Sequence, residues 1–221
     1  MKLVEDFKLG NYLTFALLAE ITFVFIVVIL NAFSSRVFEI YPFLNQFTRE
    51  VMEGLAGKVK DAEQSGMALK IFVNNLLVTI APLTVFSLQM LPVKGIKAAA
   101  VVLAAVIGVF LYLINGLVVG LVIGVLAANM NVSYIILLFI TMIHGVLELF
   151  AMSAGTLFSG YYLYNTINQG RRDNTGCFFQ YLPVAQKLLF KLLPVLVAAL
   201  AAAAVIETYI SAPLAEKIIG V

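Results

Sequence analysis

The sequence predicts an all-α protein, a bundle of helices that crosses a membrane several times. Three observations carry this reading. Hydrophobic residues fill 62% of the 221 positions and charged residues only 12%, against roughly 45–50% and about 25% in an ordinary soluble domain. The mean hydropathy is +1.04. Apolar runs of about 20 residues, the length that crosses a bilayer core, recur from one end of the chain to the other. The expectation is one integral membrane domain over 1–221, with no separate soluble domain.

The first span is expected near 12–34, interrupted by Glu20 and closed by Asn31 and the polar run Ser34-Ser35-Arg36. Acidic residues precede it and no small-residue cleavage site follows, so it is expected to be retained and not removed as a signal peptide. Between this span and the next, Phe43, Phe47, Val51, Leu55 and Val59 recur every four residues, with Arg49, Glu50, Glu53, Lys58, Lys60 and Asp61 on the other faces. This is the pattern of an amphipathic helix near 43–63. It would lie on the bilayer surface or against the bundle, or else dock a partner.

The second span, near 69–91, carries Asn74-Asn75 early and Pro82 in its middle, where a missing backbone donor predicts a kink. The connection to the third span, near 98–128, is short, so the two should be neighbours. Asn115-Gly116 falls near the centre of the third span. Glycines at 116, 120 and 124 would form a smooth groove for close helix packing, within either one long tilted helix or two pieces broken at Asn115-Gly116.

The fourth span, near 133–164, holds His144 and Glu148 and ends in Tyr161, Tyr162 and Tyr164, a cluster suited to the membrane interface. The fifth, near 188–211, is alanine-rich and carries Glu207 before Pro213. Five spans result, or six if a long segment is broken. An inside N-terminus assigns Lys2, Lys8, Lys94, Lys97, Arg171, Arg172, Lys187 and Lys191 to the cytoplasm, against Arg36, Arg49, Lys58, Lys60, Lys70 and Lys217 outside. That bias favours a multi-pass protein of the cell membrane with its N-terminus in the cytoplasm.

The net charge of +2 and the scatter of the basic residues argue against nucleic acid as a partner. The bilayer itself, other membrane proteins and a second copy of the chain are the expected partners. A single cysteine, Cys177, excludes an internal disulfide and any multi-cysteine metal site.

Chemistry is confined to a few residues. Glu20, Glu148, Glu207 and His144, the only histidine, all fall within apolar spans. An acidic residue at mid-bilayer costs roughly 2.5–3.5 kcal/mol even on lenient scales, so each should face protein or a wet cavity. Four-residue spacing puts His144 and Glu148 on one helix face. With Asn74, Asn75, Asn115 and Glu207 they are expected to form a buried polar cluster.

Three roles are open to that cluster. It can fix helix register through interhelical hydrogen bonds; it can relay protons or ions; or His144, Glu148 and Glu207 can hold a divalent metal with one coordination position left open. No cofactor is expected unless that last role applies. A second histidine, a zincin motif, a nucleophile elbow and a phosphate loop are all missing, so no catalytic residues are assigned.

Asn74-Asn75, Asn115-Gly116-Leu117-Val118-Val119-Gly120, His144-Gly145-Val146-Leu147-Glu148 and Ile206-Glu207-Thr208-Tyr209-Ile210-Ser211-Ala212-Pro213, in this order, resemble the stage II sporulation protein M family. The resemblance runs from about Lys70 to Pro213, with Ile143 where the family usually has proline. It implies an integral membrane protein. For the member that gives the family its name, it implies anchoring or scaffolding of wall-degrading partners during engulfment; for others, association with transport systems. The functional expectation is a non-enzymatic scaffold or accessory subunit of a membrane complex. The alternatives are a small transporter using buried carboxylates as a relay, and then an intramembrane metalloenzyme.

Overall fold

The computed structural model describes residues 8–40, 46, 64–90, 94–130, 132–173 and 182–219. Among them the chain is helical, without a strand. The elements are α1 (Leu9–Ile40), α2 (Gln64–Ser87) with a 3-10 turn over Leu88–Met90, α3 (Lys94–Met130), α4 (Tyr134–Thr156) and α5 (Phe158–Asp173). They continue with α6 (Leu182–Ile206), a π-helical turn over Glu207–Ser211, and α7 (Ala212–Ile219). Five helices are long and apolar enough to cross a membrane: Leu9–Ile26, Gly66–Ser87, Ile96–Asn115, Tyr134–Thr156 and Leu182–Ala215. The protein is therefore a multi-pass membrane protein. The amphipathic helix expected near 43–63 lies outside the described residues, apart from the single helical residue Gln46.

Three local features differ from the simplest sequence expectation or decide between its alternatives. The third span is one helix of 37 residues that runs through Asn115-Gly116 without a break. The fourth apolar segment is divided at Leu157, although Leu157 N–H still donates to Ser153 O at 3.1 Å and Tyr161 N–H to Leu157 O at 2.9 Å. The fifth begins earlier than expected, at Leu182, and continues past Pro213.

The π turn has a local cause. Pro213 has no N–H to return to Tyr209, and its ring crowds that carbonyl. A widened turn relieves the crowding, and the Ala212 N–H donates instead to the Glu207 carbonyl, five residues back.

The chain forms two compact units, each interleaved in sequence. The first comprises Met1–Glu20, Asn75–Leu113 and Leu149–Leu200. Its core is aromatic at the centre. Tyr12 meets Phe158 and Tyr161 edge-on at 5.5 and 5.0 Å, and Phe86 meets Phe158 and Tyr162 at 5.2 and 5.5 Å. Such edge-to-face pairs add about 0.5–1.5 kcal/mol each beyond the area they bury. The buried Tyr12 hydroxyl donates to the Ala154 carbonyl and that of the half-buried Tyr112 to the Ala19 carbonyl at 2.6 Å, so both phenols find backbone acceptors.

Two glycines let helices of this unit touch backbone to backbone. A Cβ on Gly108 would collide with the carbonyl oxygen of Thr156, and one on Gly155 with the methyl of Thr79 and with its carbonyl oxygen at 2.7 Å. Glu20 is also buried in this unit, 4% exposed, with no hydrogen-bond partner for its Oε2 among the described residues.

The second unit comprises Ile21–Asn74, Ile114–Glu148 and Ala201–Val221. Buried within it are Phe23, Ile123, Leu137, Ile140, Ala203 and Ala204. The glycines at 120 and 124 are buried here too. His144, Glu148 and Glu207 all belong to this unit.

Candidate functional site

α4 supplies the first two residues of the site. The local sequence is apolar enough to span lipid, where the backbone must be helical to satisfy its own polar groups, and the one-turn offset between His144 and Glu148 aligns their side chains. His144 falls at the middle of the span Tyr134–Thr156. The end of the last span supplies the others. Glu207 opens the π turn and Ser211 closes it, so the widened turn presents both side chains beside α4.

The resulting geometry is compact. One donor atom from each of His144, Glu148 and Glu207 can be chosen such that all three lie within 4.8 Å of one another. His144 Nε2 lies 3.9 Å from Glu207 Oε2, and His144 Nδ1 is hydrogen-bonded to Ser211 Oγ at 3.0 Å. Ser211 is buried, as is Thr208 between the two, and the Thr208 hydroxyl has no hydrogen-bond partner among the described residues. The His144 side chain is 12% exposed and that of Glu207 27%.

Asn74 is exposed on α2, whereas Asn75 and Asn115 are half-buried; each of the three makes an interaction. Asn74 and Asn115 belong to the second unit with His144, Glu148 and Glu207, and Asn75 to the first; the group whose donor atoms converge is His144, Glu148 and Glu207. Ser211 was missed as a partner by sequence reasoning. The signal was present, because Ser211 stands four residues after Glu207 just as Glu148 stands four after His144.

Serine, imidazole and carboxylate in line invite comparison with an acyl-transfer triad. The comparison fails on geometry. Ser211 is buried, where a substrate carbonyl cannot reach it, and 3.9 Å between Nε2 and Oε2 exceeds a hydrogen bond. What the arrangement can do is hold a proton or a cation between two carboxylates and one imidazole nitrogen.

Comparison with known proteins adds one finding. The family model described as Stage II sporulation protein M matches residues 14–212. Neither the curated proteins nor the solved structures gave a match.

Proposed function

The chain belongs to the stage II sporulation protein M family, and on that premise we propose that it is a non-enzymatic membrane subunit, a scaffold or accessory component of a membrane complex. One observation carries the reading. Glu207, beside a histidine at mid-span, keeps 27% of its side chain exposed, whereas carboxylates on spanning helices face protein or enclosed water. A neighbouring membrane protein covering this face meets that requirement. In this reading the N-terminus is cytoplasmic, as the weak excess of lysine and arginine on that side favours.

The test is a photo-crosslinker at Val146 or Tyr209, both exposed. The expected result is a crosslink to one membrane protein that also co-purifies in mild detergent at a fixed ratio. A chain that stays monomeric in native membranes and crosslinks only to lipid overturns the reading. The convergence of Glu148 and Glu207 on His144 favours a second reading, an ion or proton relay. That reading requires Glu148→Gln to abolish flux in proteoliposomes while assembly is retained.

A further inference from the structure

We infer that His144, Glu148 and Glu207 form a binding site for one divalent first-row transition cation, of the zinc or manganese class, with Ser211 as the residue that orients the imidazole. The inference does not depend on the scaffold reading, since a subunit of any function can carry the site.

Four observations support it. The donor set is the first. An imidazole with two carboxylates suits divalent transition ions, whereas magnesium and calcium prefer an all-oxygen shell. Three protein ligands also leave a coordination position for water.

Spacing is the second. Donors about 2.0–2.2 Å from a tetrahedral ion stand about 3.3–3.5 Å apart. The donor atoms here lie within 4.8 Å of one another, and His144 Nε2 and Glu207 Oε2 are 3.9 Å apart. Side-chain rotation of about 1 Å, without helix movement, closes that difference.

The third is the imidazole's other nitrogen. Histidines that bind metals through one ring nitrogen almost always hydrogen-bond through the other, which sets the tautomer. Here Nδ1 is engaged by Ser211 Oγ at 3.0 Å, which directs Nε2 towards Glu207. With Nδ1–H donating to the serine oxygen, Nε2 carries the lone pair a metal requires.

Charge is the fourth. Two carboxylates this close in an apolar span repel each other and are costly to desolvate. A divalent cation cancels both charges and leaves the cluster neutral.

The experiment uses the full-length chain in detergent with any affinity tag removed. The chain is stripped with a chelator and titrated with Zn2+ or Mn2+ alone, following bound metal by elemental analysis and the shift in Tm. Saturable uptake of one ion per chain with a rise in Tm is expected, because an ion that binds only the folded state stabilises it. Glu148→Gln and Glu207→Gln, which preserve shape, should each abolish uptake, and Ser211→Ala should weaken it by about 10–100-fold. Absence of saturable uptake by the wild type overturns the inference, as does uptake that persists unchanged in both glutamine variants. Should one glutamine variant fail to fold, the other, titrated against the wild type, decides whether the ion sits at this site.

Discussion

His144 Nδ1 and Ser211 Oγ, 67 residues apart in sequence, are joined at 3.0 Å. One hydrogen bond thereby ties the middle of the fourth span to the π turn at the end of the last. The bond fixes the ring's rotation, and with it the direction of Nε2. Its removal has a measurable cost. Ser211→Ala should lower stability in detergent by about 0.5–1.5 kcal/mol, the usual net worth of one such bond. Thermal unfolding against wild type checks this, and an unchanged Tm would mean that the bond does not hold in the membrane protein.

Gly108 and Gly155 sit where helices of the first unit touch. Alanine at either should destabilise by more than the ~1–3 kcal/mol typical of overpacking, because the obstacle at Gly108 is a backbone carbonyl that cannot rotate away. Gly145 is the control. A Cβ there meets only Met142 Cε at 3.5 Å and Thr141 Cγ2 at 3.9 Å, so Gly145→Ala should be neutral or stabilising by up to about 1 kcal/mol. Expression level and monodispersity of the three variants, read side by side, test the contrast.

Tyr12 combines a ring fully enclosed by Phe158 and Tyr161 with a hydroxyl bound to Ala154 O. Tyr12→Phe should cost about 1 kcal/mol by loss of the hydrogen bond. Tyr12→Ala should cost about 3–5 kcal/mol through the cavity it leaves. Equal Tm values for these two variants would contradict the described core.

Glu20 is buried in an apolar span and its Oε2 has no hydrogen-bond partner among the described residues. Glu20→Gln keeps the shape and removes an ionisable group, so it should leave stability within about 1 kcal/mol of wild type or raise it slightly. A large loss in unfolding experiments would instead assign the Glu20 carboxylate a specific partner.

Much of the fold was legible because lipid imposes a one-dimensional rule. A spanning segment must be helical to satisfy its backbone, and it must be apolar for about 20 residues. That rule locates α2, α3 and the start of α4 to within a few residues from hydropathy alone. It does not locate the division at Leu157, because the apolar composition continues unchanged across it. Nor does it distinguish one long helix from two at Asn115-Gly116, where the described chain stays helical throughout.

Close packing was legible only in kind. The glycine spacing from 116 to 124 points to close packing along α3, while at Gly108 and Gly155 a Cβ would meet the backbone of a neighbouring helix. Any glycine permits a close approach, and only the path of the neighbouring helix decides which one is used. The site divides in the same way. The i, i+4 relation of His144 and Glu148 follows from helix geometry, so it could be read without coordinates.

By itself, then, the sequence determined the class of the protein, the approximate spans, and the few ionisable residues that would be costly in lipid. These are properties of residues and their near neighbours along one helix, where composition and period suffice. Tertiary structure alone decided how Ser211 engages His144 Nδ1 and that Thr156 comes to Gly108. It also divided the chain into two compact units, each assembled from segments far apart in sequence. The physical reason is that such contacts depend on how separate helices align. That alignment is set by the summed packing of many apolar side chains, and no local pattern encodes it.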